Sequence, residues 1–106
     1  MNEVILKVFP NGSTLKPSFG LRLPTVTNFK TADCVLLKVI FDNKTHTIEN
    51  ALKTYQNQRR IANRAINDWI YNNDLNNYDN GKPPKLKFSL VIQNNEHIYK
   101  YLSRVL

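Results

Sequence analysis

The sequence has few of the residues from which small proteins build disulfide, metal or phosphate-loop sites. Its single cysteine, Cys34, cannot form an internal disulfide, and with only His46 and His97 beside it no zinc-binding pattern is present. The three glycines are isolated and form no Gly-rich phosphate loop. No signal-peptide pattern opens the chain, and no apolar run approaches the length of a membrane span. We therefore predict a cytoplasmic protein with no membrane partner and no bound metal or cofactor.

Catalytic patterns are also missing. The aspartates do not pair at a spacing that would hold a metal or supply an acid and a base, and neither histidine accompanies a nucleophile. They are Asp33, Asp42, Asp68, Asp74 and Asp79. Catalysis by this chain alone is not predicted, and any nuclease activity would lie in a separate part.

The chain is short of acidic residues and rich in basic ones. Its 106 residues are enough for a single small domain, and 15 Lys and Arg against 8 Asp and Glu give a net charge of +7. A positive charge of this density suits nucleic acid or an acidic protein surface.

Four segments have the composition of strands. Branched and aromatic residues dominate them. The segments are Glu3–Phe9, a weaker one over Phe19–Leu23, the nearly continuous apolar run Ala32–Phe41, and Leu86–Ile92. The fourth is assigned as a strand on composition, with a helix as the alternative.

The first two strands would carry positive charge on one side. Lys7, Lys16 and Arg22 can line one face of that strand pair, with Phe9 and Phe19 nearby as an aromatic platform for bases. Aromatic residues in strands more commonly belong to the core, so both readings stay open.

The longest periodic segment is Thr47–Tyr71. Apolar residues recur there at helical spacing, so we predict one long amphipathic helix with Thr47 as its N-cap. They are Ile48, Ala51, Leu52, Tyr55, Ala62, Ala65, Ile66 and Trp69. Residues 94–106 repeat the spacing and predict a short C-terminal helix. The predicted fold is α+β: a small, mostly antiparallel sheet with one long basic helix and a short C-terminal helix.

The opposite face of the predicted long helix is basic. Lys53, Arg60 and Arg64 would project together with Asn57 and Asn67, and no acidic residue lies between Ala51 and Asn67 to neutralise them. This ridge would contact phosphates of a nucleic acid.

Four further residues extend the predicted site. Arg59 falls near the centre of the apolar stripe, where a guanidinium needs a partner group. Lys44 precedes the helix in a turn, and Lys82 and Lys85 lie in the loop before the last strand. We predict that all four add to the nucleic-acid-binding surface.

The same region resembles a known family. The run Lys53-Thr54-Tyr55-x-x-x-Arg59-x-x-x-Asn63-x-Ala65, with the strand Lys38–Phe41 upstream, resembles the opening of the insertion-sequence OrfB/TnpB proteins and their type V CRISPR relatives. The likeness covers Val35 to Trp69. It implies the junction between the wedge barrel and the recognition lobe of an RNA-guided nuclease, where guide RNA and target duplex are held. It also implies that the nuclease carboxylates lie elsewhere, in a larger effector of which this chain would be the N-terminal piece.

Three functions are compatible with these observations. The preferred one is a non-catalytic module that holds guide RNA or an RNA–DNA duplex through phosphate contacts, with a larger nuclease or another protein subunit as a further partner. The second is a stand-alone single-stranded-DNA-binding protein of a mobile element or phage. The third is a small inhibitor or adaptor that binds a partner protein.

Overall fold

A curled, seven-stranded sheet dominates the fold. The structure is a computed structural model that describes residues 2–11, 17–79 and 81–105. Its strands are β1 Asn2–Asn11, β2 Ser18–Arg22, β3 Leu36–Phe41, β4 Lys44–Ile48, β5 Arg60–Ile61, β6 Lys85–Gln93 and β7 Glu96–Val105. The helices are α1 Leu52–Gln58 and α2 Arg64–Asn72, with a 3₁₀ turn over Thr31–Asp33. The strand order is β4-β3-β7-β6-β1-β2-β5, and only β3 and β7 run parallel. The α+β class and the mostly antiparallel sheet are confirmed.

Two hairpins owe their tight turns to Asp and Asn. Asp42 and Asn43 join β3 to β4 with φ of 53° and 59°, and Asn94 and Asn95 join β6 to β7 with φ of 53° and 63°. Positive φ at both central residues is the type I′ geometry that matches strand twist, and Asn and Asp tolerate it better than other non-glycine residues.

The core lies on one face of the sheet, beneath both helices. Inward side chains alternate with outward ones along the strands, as in β3, where Leu37, Val39 and Phe41 are buried. The helices contribute Tyr55 from α1 and a buried group from α2. The α2 group is Ile66, Trp69 and Ile70. The opposite face, called here the outer face, carries neither α1 nor α2.

The predicted long helix over Thr47–Tyr71 is wrong. Arg59 adopts the left-handed conformation (φ 59°, ψ 41°) and ends α1, and its amide donates to the Tyr55 carbonyl. Ile61, which falls outside the apolar stripe of a continuous helix, is fully buried in β5 opposite Leu21. Asn63 then starts α2 by accepting a hydrogen bond from the Ile66 amide at 2.9 Å.

The start of that helix and the predicted C-terminal helix are also wrong. Thr47 does not cap a helix but lies in β4, paired with Lys38, because the Asp42-Asn43 turn returns the chain along β3. Residues 96–105 form β7, in which His97 and Tyr99 point into the core with a period of two. The strand Leu86–Ile92 is confirmed, and β3 begins later than predicted, at Leu36.

Helix length in the described ranges is modest. The longest helix there, α2, has nine residues, and none of those helices is long and apolar enough to cross a membrane. The cytoplasmic location remains a prediction.

Candidate nucleic-acid interface

Four cations lie side by side across four neighbouring strands. The register pairs Lys85 of β6 with Lys7 of β1, Lys7 with Arg22 of β2, and Arg22 with Arg60 of β5. Directly opposite residues project from the same face, which for these four is the outer face. Lys85, Lys7, Arg22 and Arg60 are called the basic row. Adjacent strands are about 4.8 Å apart, so the row places four positive charges along roughly 15 Å.

The repulsion within the basic row lowers the stability of the folded sheet. Like charges directly opposite each other in a sheet destabilise it, and the row contains three such pairs in succession. Among the described residues, no member of the row forms an ion pair that would offset the repulsion. A line of phosphates would supply the missing negative charge.

The rest of the outer face is also basic. Lys38, Lys87 and Lys100 share it by register, against Glu3 and Glu96. Both carboxylates are engaged outside the row: Glu96 lies 3.5 Å from the Lys38 ammonium, and Glu3 lies 3.8 Å from that of Lys87. The positive field of this face therefore centres on the row.

Phe9 supports one end of the row. The guanidinium carbons of Arg22 and Arg60 lie 5.3 and 5.2 Å from its ring centroid, and the ring is only 6% exposed. Cation–π attraction holds both guanidinium groups over the ring. Gly20, opposite Phe9, has no room for a side chain, since a Cβ there would lie 2.9 Å from Ala62 Cβ and from the Ile61 carbonyl oxygen. The close approach of β5 that brings Arg60 beside Arg22 therefore requires glycine.

Arg59 positions the chain segment next to the basic row through hydrogen bonds. Its Nη2 donates to the Pro24 carbonyl at 2.9 Å and to Thr27 Oγ1 at 2.8 Å, and its own carbonyl accepts from the Leu23 amide at 3.0 Å. The sequence predicted that a guanidinium at this position needs partner groups, and these oxygens are the partners. Arg59 is half-buried and acts as a positioning residue, which fixes the segment after β2 beside Arg22.

Lys82 joins the row from the segment before β6. It lines, together with Lys7, Lys85 and Arg104, a surface depression of about 490 Å³. Of the predicted site residues, the structure thus brings together Arg60, Lys82 and Lys85.

The other predicted residues do not form the expected ridge. Lys53 and Asn57 are exposed on α1, and Lys44 is exposed at the start of the edge strand β4. Arg64 is exposed at the first turn of α2, and Asn67 Oδ1 accepts a hydrogen bond from the Phe19 amide at 2.8 Å. The ridge of Lys53, Arg60 and Arg64 required one continuous helix, whereas these residues occupy α1, β5 and α2.

The aromatic side chains are not available as a base-stacking platform. Phe9 is covered by the two arginines, and Phe19, 7% exposed, packs edge-on against Tyr71 and Tyr78. Every aromatic residue of the chain lies in the described ranges and is buried or half-buried.

Three outer-face cations were missed or only partly recognised from the sequence. Lys7 and Arg22 were expected to share a hairpin face, which is confirmed, while Lys16 lies outside the described residues. Lys100 was assigned to a helix, and its position became visible only with the β7 register. The Asn94-Asn95 pair between two apolar segments was the signal for that hairpin.

One buried polar cluster lies on the core side. Tyr55 Oη is 2.6 Å from His97 Nδ1 and 2.7 Å from Tyr99 Oη, and all three residues are almost completely enclosed. Burial lowers the pKa of His97 and raises the pKa of both tyrosines, so the imidazole and the two hydroxyls are neutral. The cluster is not accessible to a substrate, and its hydrogen bonds stabilise the core.

In the part of the chain that the structure describes, no three His, Cys, Asp or Glu side chains converge as metal ligands. No protein-family model, curated protein or solved structure matches this chain.

Proposed function

We propose that the protein binds nucleic acid through phosphate contacts on the outer face of its sheet. The observation that carries this proposal is the basic row, in which Lys85, Lys7, Arg22 and Arg60 lie directly opposite one another without carboxylate partners among the described residues. The folded sheet holds these four positive charges next to one another although they repel. A polyanion bound across the strands would reduce that repulsion.

The surroundings of the row favour backbone contacts over base recognition. Single-strand binders use exposed aromatic side chains on which bases stack, and the aromatic residues here are buried or half-buried. Lysine and arginine side chains that contact phosphates do so irrespective of the base sequence. We therefore propose a duplex as the bound form, with the protein indifferent to its sequence. The resemblance to RNA-guided nucleases makes a structured RNA or an RNA–DNA duplex the ligand to test.

Membership in an RNA-guided nuclease remains a prediction from the resemblance. The residues that carry it now have individual positions: Tyr55 is in the core, Arg59 positions the segment after β2, and Asn63 caps α2. The proposed phosphate contacts come from side chains of the sheet rather than from the predicted helix over Thr47–Tyr71.

The test is a comparison of two charge-matched variants. Lys7→Gln/Arg22→Gln removes two charges from the row, while Lys53→Gln/Arg64→Gln removes two from the exposed helical surface. Fluorescence anisotropy would measure affinity for a labelled RNA duplex, an RNA–DNA duplex and an unpaired DNA strand over a range of salt concentrations. For the duplexes we expect the row variant to flatten the slope of log affinity against log salt by about 0.9 per lost phosphate contact. The helix variant should leave it nearly unchanged.

Several outcomes would contradict the proposal. Equal losses in both variants would mean that net charge, and not the row, drives binding. A preference for the unpaired strand would support the single-strand binder, and failure of the wild-type protein to bind any of the three would leave a protein partner.

A further inference from the structure

A groove of about 670 Å³ adjoins the basic row on the outer face. Three members of the row, Lys7, Arg22 and Lys85, form its charged side. Its volume lies within the range typical of sites for small organic ligands. The groove is therefore large enough for more than a phosphate.

The remaining wall of the groove is mainly apolar. It is formed by Ile5, Leu23, Pro24 and Val105, with the exposed Thr25 at its rim. Arg59 holds the Pro24 side of this wall through the hydrogen bonds to the Pro24 carbonyl and Thr27 Oγ1. The Pro24 side of the wall is thus held in place before any ligand arrives, which lowers the entropic cost of binding there.

We infer that this groove takes one unpaired nucleotide of the bound nucleic acid. The phosphate would contact Lys7, Arg22 and Lys85, and the base would lie against the wall made by Leu23, Pro24 and Val105. A backbone that follows the row delivers a nucleotide to the groove without changing direction, because the three cations belong to both. The inference rests on the proposed function and refines its ligand to a duplex that carries an overhang or a bulge.

Three RNA probes built on the same duplex test the base contact. The first is a blunt duplex, the second adds one unpaired terminal nucleotide, and the third has an abasic residue in that position and the same number of phosphates. We expect the second to bind about tenfold more tightly than the third, as burial of one base against apolar side chains would give. Equal binding of the second and third probes would overturn the inference.

Two valine variants provide the protein side of the test. Val105→Asn places a polar group in the groove wall and should reduce the preference for the base over the abasic residue. Val91→Asn changes an exposed valine of the same sheet face, away from the groove, and should preserve it. An unchanged preference in Val105→Asn would count against the groove.

A photoreactive thiouridine at the unpaired position gives a readout independent of these variants. The cross-linked peptide should contain Leu23 to Thr25, whereas a cross-link to α1 or α2 would overturn the inference. If the blunt duplex binds with the salt slope expected from the row but no base preference is found, the groove assignment fails and the proposed function stands. If neither the blunt RNA duplex nor the RNA–DNA duplex binds, the proposed function itself fails.

Discussion

Arg22 and Arg60 lie directly opposite each other in adjacent strands, and their guanidinium groups lie over the same phenyl ring at 5.3 and 5.2 Å. The two charges repel, yet Phe9 and the close β2–β5 approach at Gly20 hold them together. Guanidinium groups fixed in this way lose less side-chain entropy on contacting phosphate than free ones would.

Replacement of Phe9 by leucine should show how much of the nucleic-acid affinity depends on holding the two guanidinium groups in place, as distinct from their charge. Leucine keeps an apolar side chain beneath the arginines but removes the ring that attracts them. We expect nucleic-acid affinity to fall about threefold to tenfold, in line with the loss of two weak cation–π contacts. The salt slope should stay the same because no charge is removed. A flattened slope would show that the ring acts through the number of phosphate contacts instead.

Neutralising the centre of the row should stabilise the folded protein. In Lys7→Gln the repulsion with both Arg22 and Lys85 is removed, so the free energy of unfolding should rise by about 0.5 kcal/mol at low salt. Urea denaturation at low and high salt would measure the gain, which should shrink as salt screens the charges. Lys53→Gln, an exposed lysine on α1, is the control and should change stability little. A less stable Lys7→Gln protein would argue that the row is not under electrostatic strain.

The Tyr55 hydroxyl should matter for stability. Tyr55→Phe removes the hydrogen bonds to His97 and Tyr99 and leaves their buried polar atoms without a partner. A loss of about 1–3 kcal/mol in the free energy of unfolding is expected. Tyr71→Phe is the matched control, since its half-buried hydroxyl donates one hydrogen bond to the Pro17 carbonyl and should cost less. Equal losses in the two variants would remove the case for a special core cluster.

Acidification should destabilise the fold through His97. Burial lowers the pKa of this imidazole, so the unfolded chain binds its proton at a higher pH than the folded protein does. Stability should therefore be full above about pH 6.5, the ordinary value for histidine, and decline as the pH falls from there to the folded pKa. Chemical denaturation across this window would measure the slope. In His97→Asn the decline should be smaller, and an identical pH dependence in both proteins would rule out His97 as its origin.

Local signals in the sequence were enough for several elements. Branched and aromatic residues marked β1, β2 and β6, and a turn was predicted at Lys44, next to the observed Asp42-Asn43 turn. The prediction of one helix over Thr47–Tyr71 was wrong because apolar residues have helical spacing on both sides of Arg59, where the chain leaves the helical conformation. Ile61 gave the contrary signal, since in a continuous helix it would lie outside the apolar stripe, and in the structure it is buried opposite Leu21.

The candidate site was only partly predictable for the same reason. Arg60 was predicted as part of a basic helix face, and Lys82 and Lys85 were predicted as loop residues that add to the binding surface. The surface that unites them with Lys7 and Arg22 was not predicted. Lys53 and Arg64 were grouped with Arg60 by helical angle, a grouping that the left-handed conformation of Arg59 removes.

The sequence by itself determined the excess positive charge, the lack of a metal or catalytic pattern in its residues, and the strand character of its apolar segments, because these depend on composition and near neighbours. Only the tertiary structure decided which charges meet. Residues 7, 22, 60 and 85 lie far apart along the chain and become neighbours through strand register. Register depends on which side chains the core buries and on where each turn ends, so it is a property of the whole sheet rather than of any one segment.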